Sequence, residues 1–191
     1  KYFNKIYTYN RKKDGIFNEK KLEDIISKYE IKIIINTIAQ TNLEVCEKQF
    51  EKAINDNVLT SLILINVLNK LKNKIKVIHI STDNFYNNKR YSSENDKISL
   101  LNNYSITKYF SEQIISQYRN SIILRTNFFI DKNSGLISYI FNNLKNCNKI
   151  DLYSNIFFTP VHVSSICEAI SITINFFKPG IYNLGCKNKY S

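Results

Sequence analysis

The segment KVIHISTD, Lys76 to Asp83, is a short β-branched run that closes on three consecutive polar side chains, Ser81, Thr82 and Asp83. A run of this kind, bounded by polar residues, has the pattern of a strand buried in a parallel sheet. Open α/β sheets bind ligands at the carboxyl ends of their strands, so the hydroxyls that end this run stand where chemistry is expected. Downstream, NYSITKYFSEQIISQYRN (Asn103 to Asn120) carries helical periodicity, which puts Tyr104 and Lys108 one turn apart on one face. A phenol and an ammonium can then share one site.

The spacing alone is weak evidence. In a lysine-rich chain with 13 tyrosines, roughly one or two Tyr-x-x-x-Lys pairs arise by chance, and Tyr9 with Lys13 forms another. Context separates the two, because only Tyr104 follows a strand-end Ser-Thr-Asp and lies within a periodic helix.

Outward from this pair, strand and helix patterns alternate. KIYTY (Lys5 to Tyr9) reads as a strand, Phe17 to Glu30 as an amphipathic helix, and KIIINT (Lys32 to Thr37) as a buried strand. Val45 to Leu71 is helical in one or two pieces, KVIHIS is the third strand, Tyr104 to Arg119 the next helix, and SIILRT (Ser121 to Thr126) the fourth strand. This βαβ rhythm predicts a parallel sheet with helices on both faces. After Thr126 it changes: GLISYIFNNLKN reads as a helix, DLYS as a short strand, and Val163 to Phe177 as a helix that closes near Pro179-Gly180 before IYNLG. The chain therefore divides into residues 1–126, a core unit, and 127–191, an appended part, some of it packing back on the core.

Bulk properties narrow the function classes. At 191 residues and 43% apolar content the chain can bury a substantial core. Its apolar runs are too short and interrupted to span a bilayer, and the N-terminal segment has no signal-peptide pattern, so a soluble, cytoplasmic protein without a membrane partner is expected. Cys46, Cys147, Cys167 and Cys186 show no CxxC spacing and only His79 and His162 could join them, so no metal site is expected and His79 reads as a hydrogen-bonded core residue. The net charge of +11 is spread along the whole length rather than clustered, which argues against a nucleic-acid partner. The absence of Met and of any Gly-rich phosphate loop, with only Gly15, Gly135, Gly180 and Gly185 present, reads as a piece of a longer protein.

With these segments in place, the chain resembles the extended short-chain dehydrogenase/reductases, and within them the dTDP-4-dehydrorhamnose reductase branch. INTIAQTNLEVCE (Ile35 to Glu47) is similar to the family's Asn-Ala-Ala-x-Thr segment, and Asn57 falls where an Asn usually opens the next helix. HISTDNFY, YSSEND, ILRTNFF, FFTPVHV and GIYNLG match later elements with varying closeness. The resemblance implies an α/β, Rossmann-like parallel sheet with helices on both faces and a small C-terminal substrate-binding part. It also implies that the first strand and the Gly-rich loop cradling the cofactor pyrophosphate lie before Lys1. Ile38 stands where a small residue is usual.

The same resemblance assigns Thr82, Tyr104 and Lys108 as catalytic in reduction of a nucleotide-linked 4-keto-6-deoxysugar by NADPH or NADH. Hydride reaching a ketone carbon leaves charge on oxygen, which a proton donor must quench; Lys108 would favour ionisation of the phenol, and Thr82 would donate to the same oxygen. Cofactor contacts carried over are Asp14, Ile38, Ala39, Thr41, Tyr104 and Lys108; substrate contacts are Thr82, Asp83 and Phe128. The nucleotide sugar is the expected partner, with a homodimer left open. Arg11, Lys12 and Lys13, after the first predicted strand, could hold a 2′-phosphate and favour NADPH. Arg125, at a strand end, could pair with an acidic core residue. A dehydratase needs an acid beside the strand-end Asp, where Asn84 stands, which leaves a sugar-nucleotide epimerase or a non-catalytic scaffold member as alternatives.

Overall fold

The computed structural model describes residues 5–10, 14, 17–71, 74–86, 91–127, 129–130, 135–150 and 159–188. Four parallel strands make the central sheet: β1 (Ile33–Asn36), β2 (Lys76–Thr82), β3 (Ser121–Thr126) and β6 (Gly180–Leu184), in the spatial order β1-β2-β3-β6. A second, two-stranded parallel sheet pairs β4 (Phe129–Ile130) with β5 (Val161–His162). The helices are α1 (Glu19–Lys28), α2 (Leu43–Lys48), α3 (Phe50–Ala53), α4 (Thr60–Leu71), α5 (Asn103–Ser116), α6 (Gly135–Lys145) and α7 (Val163–Asn175). The alternation read from the sequence thus builds an α/β, Rossmann-like sheet.

Side chains alternate across each strand, and the two faces of the sheet bury different partners. On one face Val77 and Ile123 pack with Leu22 and Ile26 of α1, Leu64 and Leu68 of α4, and Ile115 of α5. On the other, Ile78, Ile122 and Leu124 meet Ile170 and Ile174 of α7. Helices therefore cover both faces. At roughly 1.5–3 kcal/mol for each fully buried large aliphatic side chain, these two clusters are the main stabilising element of the fold.

The stretch Val45 to Leu71, expected to be helical in one or two pieces, comes in two, broken at Gln49. α3 passes through a π-helical turn, Ile54–Leu59, into α4, and that turn buries Asp56 and Asn57. Single π turns of this kind are frequent at functional sites. α5 starts on a capping box: the Asn102 side chain accepts from the Ser105 N–H at 2.8 Å, and the Ser105 hydroxyl accepts from the Asn102 N–H at 3.2 Å. This cap sets where Tyr104 enters the first turn.

One expectation is corrected. Residues 5–10 form no strand. β propensity alone does not hold an extended segment; it needs a ladder partner, and here the aromatic side chains take another role. Tyr7 stacks on Tyr29 with ring centroids 3.9 Å apart, and Tyr9 meets Phe17 edge-on at 5.3 Å, so the segment lies against the two ends of α1. The strand expected at Asp151 to Ser154 lies outside the described residues. Among the described residues no helix is long and apolar enough to cross a membrane.

Candidate active site

The carboxyl end of β2 and one face of α5 run side by side, and their residues meet in register. Three positions one turn apart on α5 engage three successive residues of the strand. The Tyr104 phenol lies beside the Thr82 hydroxyl, which tends to lower its pKa. Lys108 Nζ donates to the Ile80 carbonyl at 2.8 Å. Glu112 Oε2 accepts from the Ser81 hydroxyl at 2.8 Å. The sequence spacing that suggested a shared site therefore brings Thr82, Tyr104 and Lys108 together.

Burial sets the electrostatics of this group. Lys108 is fully buried, and desolvation pulls its ammonium down to about 8 against the opposing attraction of Glu112. Desolvation raises the Tyr104 phenol above its usual value; the neighbouring Thr82 hydroxyl offsets part of this, while charge on Cys46 or Asp83 would add to it. Lys108 Nζ is partnered by the Ile80 carbonyl, and Tyr104 is held as a neutral, proton-bearing group. A phenol that keeps its proton can give it away.

Asp83 is also raised by burial, with its Oδ2 accepting from Asn127 Nδ2 at 2.7 Å. Asn84 donates its N–H to Thr82 Oγ1 at 3.1 Å and accepts from Asn102 Nδ2 at 3.3 Å, which ties the strand end to the α5 cap. Beneath it Arg125 forms a buried ion pair with Glu112, Nε donating to Oε1 at 2.9 Å, and its Nη1 donates to the Tyr86 hydroxyl at 2.6 Å. Arg125 thus has the acidic core partner expected for it. Tyr86 in turn donates to Asn183 of β6 at 3.0 Å, which links the site to the far side of the sheet.

The turn after β1 lies at the same sheet edge. Ile38 and Ala39 are half-buried and Thr41 is exposed. Asn57, in the π turn, clamps this segment: its Oδ1 accepts from the Gln40 N–H at 2.6 Å and its Nδ2 donates to Thr107 of α5 at 2.8 Å. Asp14 is exposed, and its contacts are with Asn10 and Lys21 rather than with the Tyr104 group. Phe128 and the Arg11-Lys12-Lys13 run lie outside the described residues.

Sequence reading missed several neighbours of the site. Cys46 is fully buried beside the turn, its Sγ donating to the Gln40 carbonyl at 3.6 Å, and no spacing motif marks it. Glu112 could have been found as the next turn after Lys108 on the same face. Tyr86 and Asn183 are 97 residues apart, and no local pattern connects them.

A four-stranded parallel sheet covered on both faces, with a hydroxyl, a phenol and a lysine converging at one strand's carboxyl end, defines a Rossmann-like α/β protein with a ligand edge. The chain belongs to the family described as the RmlD substrate binding domain, whose profile matches residues 3–191. It is 23% identical over 178 residues to the spore coat polysaccharide biosynthesis protein SpsK of Bacillus subtilis (strain 168), a match covering 91% of this chain and 62% of that protein. The chain thus spans less than two thirds of that relative's length. Its fold is shared with a dTDP-4-dehydrorhamnose reductase, an RfbD ortholog from Clostridium acetobutylicum (TM-score 0.85, 18% identity, 96% of this chain and 66% of that one). It is shared equally with the dTDP-4-dehydrorhamnose reductase of Bacillus anthracis, solved in complex with NADP (TM-score 0.85, 21% identity, 98% of this chain and 68% of that one). A dTDP-glucose 4,6-dehydratase from Streptomyces venezuelae with NAD bound superposes at TM-score 0.80 and 18% identity, over 91% of this chain and 57% of that one. Likeness of fold at these identities does not by itself choose among the chemistries.

Proposed function

We propose that the full-length protein reduces a nucleotide-linked 4-keto-6-deoxysugar with NADPH or NADH, Tyr104 giving the proton to the carbonyl oxygen. The observation that carries this reading is the juxtaposition, at the carboxyl end of β2, of the Thr82 hydroxyl and the half-buried Tyr104 phenol, whose pKa desolvation raises so that it keeps its proton. A ketone oxygen seated between these two hydroxyls would receive a proton from Tyr104 and a hydrogen bond from Thr82 as charge develops on it. The buried cationic Lys108 would add favourable electrostatics to that step.

The residues present suit a dinucleotide cofactor. A lysine ammonium has three donors, of which Ile80 takes one, so Lys108 can also serve a ribose diol together with the Tyr104 hydroxyl. Ile38 and Ala39 offer an apolar shoulder and Thr41 an exposed hydroxyl along the turn after β1. Asp14, on its exposed segment, would serve the adenine end. When bound, the cofactor supplies the hydride; the chain's own groups orient it, shield it and manage the proton. Residues 1–126 would form the cofactor-binding part and 127–191 would contribute to the substrate side, with Asp83 and Phe128 as sugar-nucleotide contacts. SpsK, by its name, acts in spore coat polysaccharide biosynthesis, which favours a role in building surface carbohydrate; the reading places that role in the cytoplasm, without a nucleic-acid or membrane partner.

The dehydratase reading is disfavoured by Asn84, whose side chain accepts from Asn102 and has no acidic proton to give. An epimerase or a non-catalytic scaffold is the remaining competitor. Full-length protein mixed with a dTDP-4-keto-6-deoxysugar and reduced cofactor should oxidise one cofactor per sugar reduced. Isomerised sugar without net cofactor oxidation would establish the epimerase instead, and no turnover despite bound cofactor would establish the scaffold.

A further inference from the structure

Beneath the site, a line of buried polar side chains crosses from β1 through β2 to α5 and the π turn. Asn36 Nδ2 lies 3.1 Å from His79 Nδ1, His79 Nε2 lies 3.2 Å from Ser111 Oγ, and Ser111 Oγ lies 2.6 Å from Ser61 Oγ. Ser61 Oγ reaches the main-chain carbonyl of Asn57 at 3.2 Å. All five of these residues are buried.

The direction of every bond is fixed from both ends. At one end the Ile38 N–H donates to Asn36 Oδ1 at 3.2 Å, so the amide NH2 of Asn36 faces the imidazole and His79 Nδ1 must accept. At the other end a carbonyl can only accept, so Ser61 donates to Asn57, Ser111 donates to Ser61, and His79 Nε2 donates to Ser111. Two independent arguments therefore select one tautomer.

We propose that His79 is a positioning residue: with its proton on Nε2 it orients Asn36, and through Asn36 it holds the turn Ile38 to Thr41 in register with the helix that carries Tyr104 and Lys108. The far end of the line serves the same purpose. Asn57, whose carbonyl receives the last bond, grips Gln40 of that turn with its side chain and donates to the Thr107 hydroxyl, which itself donates to the Tyr104 carbonyl at 3.0 Å. The cofactor-facing turn and the helix with the proton donor are thus fastened at two points. Burial and the nearby Lys108 charge hold the His79 pKa well below the ordinary imidazole value, so the line does not break as pH falls toward mild acidity.

Calling the turn cofactor-facing rests on the proposed function; the fastening of turn to helix does not. The test uses this chain first. Its two histidines make imidazole nitrogen NMR direct to assign, with His79→Gln removing one signal set. The expected result is a neutral Nε2–H imidazole for His79 across pH ~5 to ~8, where an exposed imidazole titrates; an Nδ1–H tautomer or an imidazolium would overturn the proposal. Ser111→Ala removes one oxygen and leaves His79 Nε2–H without its acceptor. It should speed exchange of the Ile38 amide about tenfold relative to the sheet amides, because a buried bond has been lost. Unchanged Ile38 exchange would overturn the proposal even if other variants fail to fold. In full-length protein, Ser111→Ala should raise KM for NAD(P)H about tenfold while kcat falls less than KM rises. An unchanged KM in a protein that binds NAD(P)H counts against the positioning role. Absence of any NAD(P)H binding by the unmutated protein would sink the functional reading instead, leaving the exchange result to judge the fastening.

Discussion

Lys108 donates to the Ile80 carbonyl from a fully buried position, and desolvation brings its ammonium from an ordinary 10.5 to about 8. The sign of the consequence follows from proton counting. Between pH ~8 and ~10.5 the unfolded chain binds more protons at this site than the folded one, so its contribution to stability rises with pH through that window and is a constant penalty below it. At about 1.4 kcal/mol per pKa unit the penalty is of order 3 kcal/mol. Lys108→Met should remove it: denaturant titrations should show the variant more stable than the parent at pH ~7, with the gap closing toward pH ~10. Opposing shifts at Cys46 and Tyr104 are common to both proteins and cancel in the difference. A gap independent of pH would show that Lys108 is not desolvated as described. A residue kept at this cost, in contact with the strand end that carries Thr82, is better explained by chemistry than by packing.

At the scale of elements, α5 and β2 were the most legible parts of the chain, because α5 carries helical spacing, β2 is a short β-branched run, and their ends are marked. The helix starts where Asn102 and Ser105 exchange bonds, and Asn102→Ala should cost about 1 kcal/mol of stability. It should cost more in activity than its stability loss predicts, since the same cap sets the entry of Tyr104 and accepts no substitute for the Asn102–Asn84 bond. Thermal melts and turnover on one preparation check both halves. Lys5 to Tyr9 misled because alternating aromatic and β-branched residues signal a strand only when a neighbour supplies the ladder; Tyr7 and Tyr9 set their rings against Tyr29 and Phe17 instead. The π turn was invisible for a related reason. INDNVL carries no breaker, and the bonds that tie Asn57 to the turn after β1 and to α5 are tertiary ones that no local pattern shows.

For the whole molecule, the sequence made Thr82, Tyr104 and Lys108 readable as a group because two are local to one helix and the third ends a marked strand. The buried line through His79 was readable only as a core histidine, since its partners come from three separate segments. Glu112 with Arg125, and Tyr86 with Asn183, are likewise tertiary pairings that no window of sequence contains. Charge is the remaining global feature. With +11 spread along the chain and Arg11, Lys12 and Lys13 following the first aromatic segment, the full-length protein should prefer NADPH to NADH. Comparing kcat/KM for the two cofactors decides this, and equal or NADH-favouring values would remove the preference without touching the site. The central claim is that Tyr104 gives the proton, and Tyr104→Phe tests it most directly, because it deletes one oxygen while keeping the ring. In folded, cofactor-saturated full-length protein, ketosugar turnover should fall by about 10²- to 10⁴-fold with stability little changed; turnover equal to that of the unmutated protein would contradict the account.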